Sequence, residues 1–192
     1  SWVLRQACEQ MQAWRQAGLP VQVVAVNLSP IQFLHQDVVQ QVAHTLRQTG
    51  LPATCLELEI TEGALMQDTS YAEQALQALR ELGVHVVVDD FGTGYSSLAY
   101  LRRFALDKLK IDKSFLQGLP DSASDAQLVR TIMQLGQGLG LQVLAEGVET
   151  VAQRDWLAAA GLQLCQGYLY ARPMPAAALA GWWQQAAVAD KP

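Results

Sequence analysis

The stretch RELGVHVVVDD (Arg80–Asp90) sets the pattern of the whole chain. A mixed polar and apolar run stops at Gly83, Val84 leads into a β-branched run, and two adjacent carboxylates follow. Glycine just past a helix end accepts a left-handed backbone that other residues adopt only with strain. Four further segments repeat the pattern: RQAGLPVQVVAV (Arg15–Val26), RQTGLPATCLELEI (Arg47–Ile60), QGLGLQVLAEG (Gln137–Gly147) and AAAGLQLCQG (Ala158–Gly167). Their glycines, Gly18, Gly50, Gly83, Gly140 and Gly161, are spaced by 32, 33, 57 and 21 residues. The long gap holds one more unit, with the strand LDKLKID (Leu106–Asp112).

This alternation predicts an α/β chain of six strands and seven helices, the strands near-continuous apolar runs covered on both faces. Helix starts resemble capping boxes at Ser29 with Gln32, Ser70 with Glu73, Ser124 with Gln127 and Thr150 with Gln153. Two architectures fit parallel βα units, an open doubly wound sheet and a (β/α)8 TIM-type barrel. A complete barrel takes about 250 residues. This chain is shorter by about two strands' worth and opens inside a helical pattern (Trp2 to Trp14), which favours a barrel lacking about two N-terminal strands.

With 51% hydrophobic residues in 192, the chain can bury the core of one domain, taken as residues 1–187 with a tail at 188–192. A net charge of -5 argues against polymeric nucleic acid as a partner, yet allows a small anionic ligand neutralised locally by cations. Cys8, Cys55 and Cys165 are scattered, with no C-x-x-C pair, and read as buried thiols of a reducing, cytoplasmic compartment. The absence of an eighteen-residue apolar run predicts no membrane contact from this segment, and a membrane anchor elsewhere in a longer parent is compatible with that.

The C-terminal strand ends share a chemistry. In order they deliver Asn27, Glu59 with Glu62, Asp89 with Asp90, Lys110 with Asp112, Glu146 with Glu149, and Gln166. Singly, each has an ordinary explanation as a turn cap, an outward residue or a surface charge. Six strands agreeing is not ordinary, because that end is where parallel α/β folds build active sites. Oxygen-only donors select hard cations such as Mg²⁺, Ca²⁺ or Mn²⁺, and none of His35, His44 or His85 falls in the set. Asp89 and Asp90, projecting in different directions from an extended strand end, suit a two-metal site for phosphate ester hydrolysis, with Lys110 as point charge or proton-handling group. The triplet Asp90-Phe91-Gly92 spells the magnesium-binding triplet of protein kinases, but no H-R-D or V-A-I-K segment accompanies it. GQGLG (Gly136–Gly140) closes a helix before a strand, the reverse of a dinucleotide-binding loop.

VNLSP, LEITE, DDFGTGYSSLAYL, LKIDKSF, AEGVET and QGYLYARP, in this order and spacing, strongly resemble the EAL family of bacterial cyclic di-GMP phosphodiesterases. The resemblance covers essentially the whole chain. It implies a barrel that opens cyclic di-GMP to linear pGpG using two Mg²⁺ or Mn²⁺ ions. Asn27, Glu59 and Asp89 would hold one ion, and Asp89 and Asp90 the second. Lys110 would contact the attacking water, and Glu146 would be a metal-bound carboxylate and general base. Glu62 would anchor the loop Phe91–Ser97, which in the family couples the metal site to a homodimer interface; Gly92 and Gly94 give it backbone freedom. Asp112, Glu149 and Gln166 would stand behind the ligands or against the substrate. The resemblance also implies an upstream sensor or GGDEF domain in the parent chain. One departure stands out: the Glu-Ala-Leu motif, whose Glu should be a metal ligand, is absent, as is the nearby Arg that usually meets a substrate phosphate. A cyclic di-GMP receptor without activity, or a dimerisation module, is therefore the alternative reading.

Overall fold

Strand order decides between the two architectures. A computed structural model describes residues 2–35, 37–94 and 98–189. Its strands are β1 (Val24–Leu28), β2 (Leu56–Thr61), β3 (His85–Phe91), β4 (Lys108–Ile111), β5 (Gln142–Ala145) and β6 (Leu164–Cys165). All neighbours are parallel and the order is sequential, β1-β2-β3-β4-β5-β6. A doubly wound sheet reverses direction partway through its order, and this one does not. The chain is an arc of a TIM-type barrel, as expected.

The helices are α1 (Trp2–Gln16), α2 (Pro30–His35), α3 (Val38–Thr49), α4 (Glu62–Gln67), α5 (Thr69–Glu81), α6 (Leu98–Leu101), α7 (Ala123–Gly138), α8 (Val151–Ala159) and α9 (Ala176–Ala189). The expectation of seven is corrected to nine among the described residues. Six-residue α2 and α4 are too short to show a helical period, so the first merges with α3 and the second with α5 when read from sequence. The tail placed at 188–192 falls on the last turn of α9 and on residues outside those described.

Two predicted caps are as expected. Thr150 Oγ1 accepts from Gln153 N at 3.1 Å while Gln153 Oε1 accepts from Thr150 N at 3.1 Å, and Ser29 and Gln32 exchange the same pair of bonds. Two caps are displaced. Asp68, not Ser70, caps α5 by accepting from Tyr71 N, and Ser122, not Ser124, caps α7 by accepting from Asp125 N. Asp and Ser cap about equally well, so the earlier acceptor wins when the first turn can begin there. The five repeat glycines all have positive φ; at Gly50 (φ 67) the turn lets its N–H reach Leu46 O and close α3.

The expectation that both faces of the strands are apolar is also corrected. Leu56, Leu58, Ile60, Val86, Val88, Leu109 and Ile111 are buried on the helix-covered face. The residues between them, Glu57, Glu59, Asp89, Lys108 and Lys110, form the inner face in register across the sheet. Truncating Leu109 on the apolar face to Ala costs about 2–5 kcal/mol. Outside the sheet, Phe33 of α2 meets Tyr71 of α5 edge-on at 5.6 Å, and the Arg130 guanidinium of α7 lies 4.8 Å over the Trp156 ring of α8. Cys8 and Cys55 are buried and burial pushes the Cys8 thiol up to about 11, as suits an inert core sulfur. Cys165 is only partly buried, because it lies on the edge strand β6. No helix among the described residues is long and apolar enough to cross a membrane.

Candidate active site

Parallel register carries the site. Asn27 pairs with Glu59, Thr61 with Asp89, and Lys110 with Leu144, so alternate residues of successive strands share the inner face at its C-terminal end. Glu146 and Gln166 follow directly on β5 and β6, where the Glu146 N–H reaches Ile111 O and the Gln166 N–H reaches Ala145 O. The sheet hydrogen bonding thus extends one step past each strand and fixes where both side chains begin.

At the centre stands Lys110, whose side chain is 3% exposed. Its Nζ lies 2.5 Å from Glu146 Oε1, 2.9 Å from Glu59 Oε2 and 3.1 Å from Asp89 Oδ1. Burial draws the Lys110 pKa down, but the hydrogen bonds to Glu146 and Glu59 and the charges of Glu59 and Asp89 outweigh it, so the ammonium is held protonated.

Asp89 and Asp90 do not project in different directions from an extended strand end, as the sequence suggested. Val88 pairs with Leu109 and Phe91 with Ile111, so two aspartates on β3 stand opposite the single Lys110 on β4. Within this bulge Asp90 takes φ 53, and its N–H donates to Asp89 Oδ1 at 3.0 Å. A left-handed non-glycine residue costs about 1–3 kcal/mol and persists only where its surroundings impose it; Asp tolerates it better than most. The result is that carboxylate oxygens of Asp89, Asp90 and Glu146 lie within 4.8 Å of one another.

Four carboxylates, from Glu59, Asp89, Asp90 and Glu146, therefore face one ammonium. The imbalance appears in the pKa values. Burial and then the charges of Asp89 and Asp112 raise the Asp90 carboxyl, with Lys110 opposing. Burial raises that of Glu146 against the opposing pull of Lys110. A divalent cation would offset this excess, and the donor set, oxygen-only with no histidine, fits Mg²⁺, Ca²⁺ or Mn²⁺.

The other candidates fall around this centre. Asn27 shares the inner face beside Glu59 but is exposed on β1. Glu62, buried at the start of α4, accepts the Gly92 N–H at 2.9 Å through Oε2, while Oε1 has no partner among the described residues and faces Gly94. Tyr95, Ser96 and Ser97 of the expected loop lie outside the described residues. Asp112 caps a 3₁₀ turn (Lys113–Leu116). Burial raises its pKa, but bonds from the Ser114 hydroxyl and from the Ser114 and Lys113 N–H groups outweigh that and lower it. Glu149 and Gln166 line one pocket with Lys113, Glu146, Gly147, Gly167 and Tyr168. Buried Gln153 fixes this rim, donating through Nε2 to Leu116 O at 2.9 Å while its Oε1 accepts from Glu149 N at 2.9 Å.

Sequence reasoning missed two things. One is Lys113, whose charge lies on an exposed turn and carried no pattern. The other is a second charged layer beneath the first, where Lys108 Nζ lies 2.5 Å from Glu57 Oε1 with both side chains 13% exposed. The letters LELE and KLK hold that pair, each two residues before its partner in the upper layer.

The EAL domain family matches residues 1–173. Cyclic di-GMP phosphodiesterase NbdA of Pseudomonas aeruginosa is 48% identical over 178 residues, covering 93% of this chain and 23% of that protein. A structure of the PaMucR phosphodiesterase in complex with c-di-GMP superposes with a TM-score of 0.89 at 44% identity, covering 93% of this chain and 72% of that one. Klebsiella pneumoniae BlrP1, in a manganese and c-di-GMP complex, superposes with a TM-score of 0.78 at 33% identity, covering 88% and 44%. The chain spans about a fifth to a quarter of the length of the curated relatives it matches.

Proposed function

This chain belongs to the EAL domain family, and from that premise we propose that it hydrolyses one phosphodiester of cyclic di-GMP to give linear pGpG, using two Mg²⁺ or Mn²⁺ ions. The observation that carries the reading is the convergence of Asp89, Asp90 and Glu146 oxygens within 4.8 Å, beside a lysine that bridges Glu59, Asp89 and Glu146. Asn27, Glu59 and Asp89 would hold one ion, Asp89 and Asp90 would hold the other, and Glu146 would be a further metal-bound carboxylate. When bound, the cations supply Lewis-acid activation of the ester and of water.

The protein's own groups do the rest. Lys110 keeps three carboxylates aimed inward with its three N–H donors, and its positive charge acts as a fixed point charge on developing negative charge. Glu146, beside the ions and tied to Lys110, takes the proton of the attacking water. The water oxygen bonds to phosphorus as one ester P–O bond breaks, and the leaving oxygen is protonated from solvent. Glu62 holds the turn after β3 through Gly92, while Asp112, Glu149 and Gln166 support the ligands or meet substrate.

The test is Asp89→Asn in the full-length protein, which removes the charge shared by both ions. Turnover of cyclic di-GMP is expected to fall more than about 100-fold with the fold retained. A loss within about tenfold, or 1.4 kcal/mol, sinks the two-metal assignment.

The remaining expectations belong to the same proposal. Residues 1–187 form the catalytic unit of a longer cytoplasmic protein that carries a sensor or GGDEF domain and works as a homodimer. Sedimentation of the full-length protein as a monomer at micromolar concentration contradicts the last point.

A further inference from the structure

Lys113 follows Asp112 on the rim, and no charge of the reaction described above uses it. Among the described residues its ammonium has no ion-pair partner, since the Asp112 carboxylate is engaged by the Ser114 N–H at 3.0 Å and the Ser114 hydroxyl at 2.5 Å. Its stem is packed against the β5–α8 loop at a glycine. A Cβ on Gly147 would stand 2.5 Å from Lys113 Cβ and 3.7 Å from Cδ, so only a residue without a side chain lets the lysine lie there. Gly147 also has φ 72, a second reason for glycine at this point.

The pocket so flanked measures 210 Å³ and is lined by Lys113, Glu146, Glu149, Gln166 and Tyr168 with the two glycines. Pockets for whole drug-sized ligands run to about 300–1,000 Å³, so this one suits a single ring system. Tyr168 is 53% exposed, with the Arg172 guanidinium 4.8 Å from the ring centroid over one face. An exposed aromatic beside an ammonium, a carboxylate and an amide is a donor and acceptor set for a flat heterocycle. Guanine presents O6 and N7 as acceptors along one edge and N–H donors along another, whereas adenine presents a donor where guanine has O6. A lysine, which can only donate, meets two adjacent acceptors on the O6/N7 edge of guanine but one acceptor and a repelling donor on the same edge of adenine, so a lysine on that edge favours guanine.

We propose that Lys113 is a specificity-determining residue that donates to the O6/N7 edge of one guanine base seated in this pocket. The inference rests on the cyclic di-GMP reading of the neighbouring metal site.

It is tested in the full-length protein with Mn²⁺ by comparing wild type, Lys113→Met and Lys113→Arg on cyclic di-GMP and cyclic di-AMP, measuring KM, kcat and equilibrium Kd. Lys113→Met is expected to raise KM and Kd for cyclic di-GMP about tenfold and to leave cyclic di-AMP unchanged. It is also expected to keep kcat within about threefold, because the pocket lies beside the reacting ester. Lys113→Arg is expected to restore guanine preference, since arginine reaches the same two acceptors. Equal weakening of both dinucleotides overturns the proposal in favour of a phosphate contact. A joint fall of kcat and thermal stability overturns it in favour of a structural role. If wild type binds but does not turn over cyclic di-GMP, the phosphodiesterase reading falls, and the Kd ratio of the two dinucleotides still decides the role of Lys113.

Discussion

Lys110 Nζ lies 2.5 Å from Glu146 Oε1, and this contact ties β4 to the residue just past β5. The same ammonium holds Glu59 from β2 and Asp89 from β3. Lys110→Met leaves two buried carboxylates, Glu59 and Asp89, and half-buried Glu146 facing one another. Removing one partner of a buried pair costs about 3–5 kcal/mol, so the urea midpoint without metal is expected to fall accordingly. Added Mn²⁺ is expected to stabilise this variant more than wild type, because the cation replaces the lost charge. An unchanged midpoint shows that Lys110 does not organise the site.

Metal binding is expected to strengthen with pH. Burial raises the carboxyls of Asp90 and Glu146, with Asp89 and Asp112 adding to the first. A raised carboxyl binds its proton more tightly in the folded state, so this contribution stabilises the metal-free protein at low pH and is lost as pH rises through the raised pKa. A cation needs the deprotonated form and competes with that proton. The gain in melting temperature on adding Mn²⁺ is therefore expected to keep growing as pH rises above the usual carboxylate value near 4 towards neutrality. A gain independent of pH over this interval removes both groups from the ligand set.

Gly167→Ala is expected to damage activity without replacing a side chain assigned to metal or substrate. An added Cβ would stand 2.2 Å from Val148 O and 2.3 Å from Val148 N. There the two rim loops are joined, the Val148 N–H reaching Gln166 O and the Leu169 N–H reaching Val148 O. Overpacking of this kind costs about 1–3 kcal/mol. Differential scanning calorimetry is expected to show that loss, and kcat/KM to fall with it as Glu146, Glu149 and Gln166 shift together. Full activity in a less stable Gly167→Ala protein separates the rim from the reaction.

How far the sequence could be read follows from which interactions are local. The helix-ending glycines, the Thr150 cap and the polar strand ends depend on residues close in sequence, and all were legible. The barrel arc followed from the repeat of βα units. The bulge at Asp89 and Asp90 was not legible, because it is a slip in register against β4, some twenty residues further along. It reverses the picture of two diverging side chains into two converging ones. The caps at Asp68 and Ser122 were missed because two acceptors competed within one turn. The lower layer of Glu57 and Lys108 was missed because its two halves lie 51 positions apart and meet only across the sheet.

The most direct measurement is the fate of cyclic di-GMP incubated with the full-length protein and Mn²⁺, followed by chromatography of the nucleotides with and without EDTA. Linear pGpG formed with Mn²⁺ and not with EDTA is the expected result. Cyclic di-GMP bound tightly yet recovered intact in the presence of Mn²⁺ contradicts a hydrolytic centre at Asp89, Asp90 and Glu146, and leaves a receptor in its place.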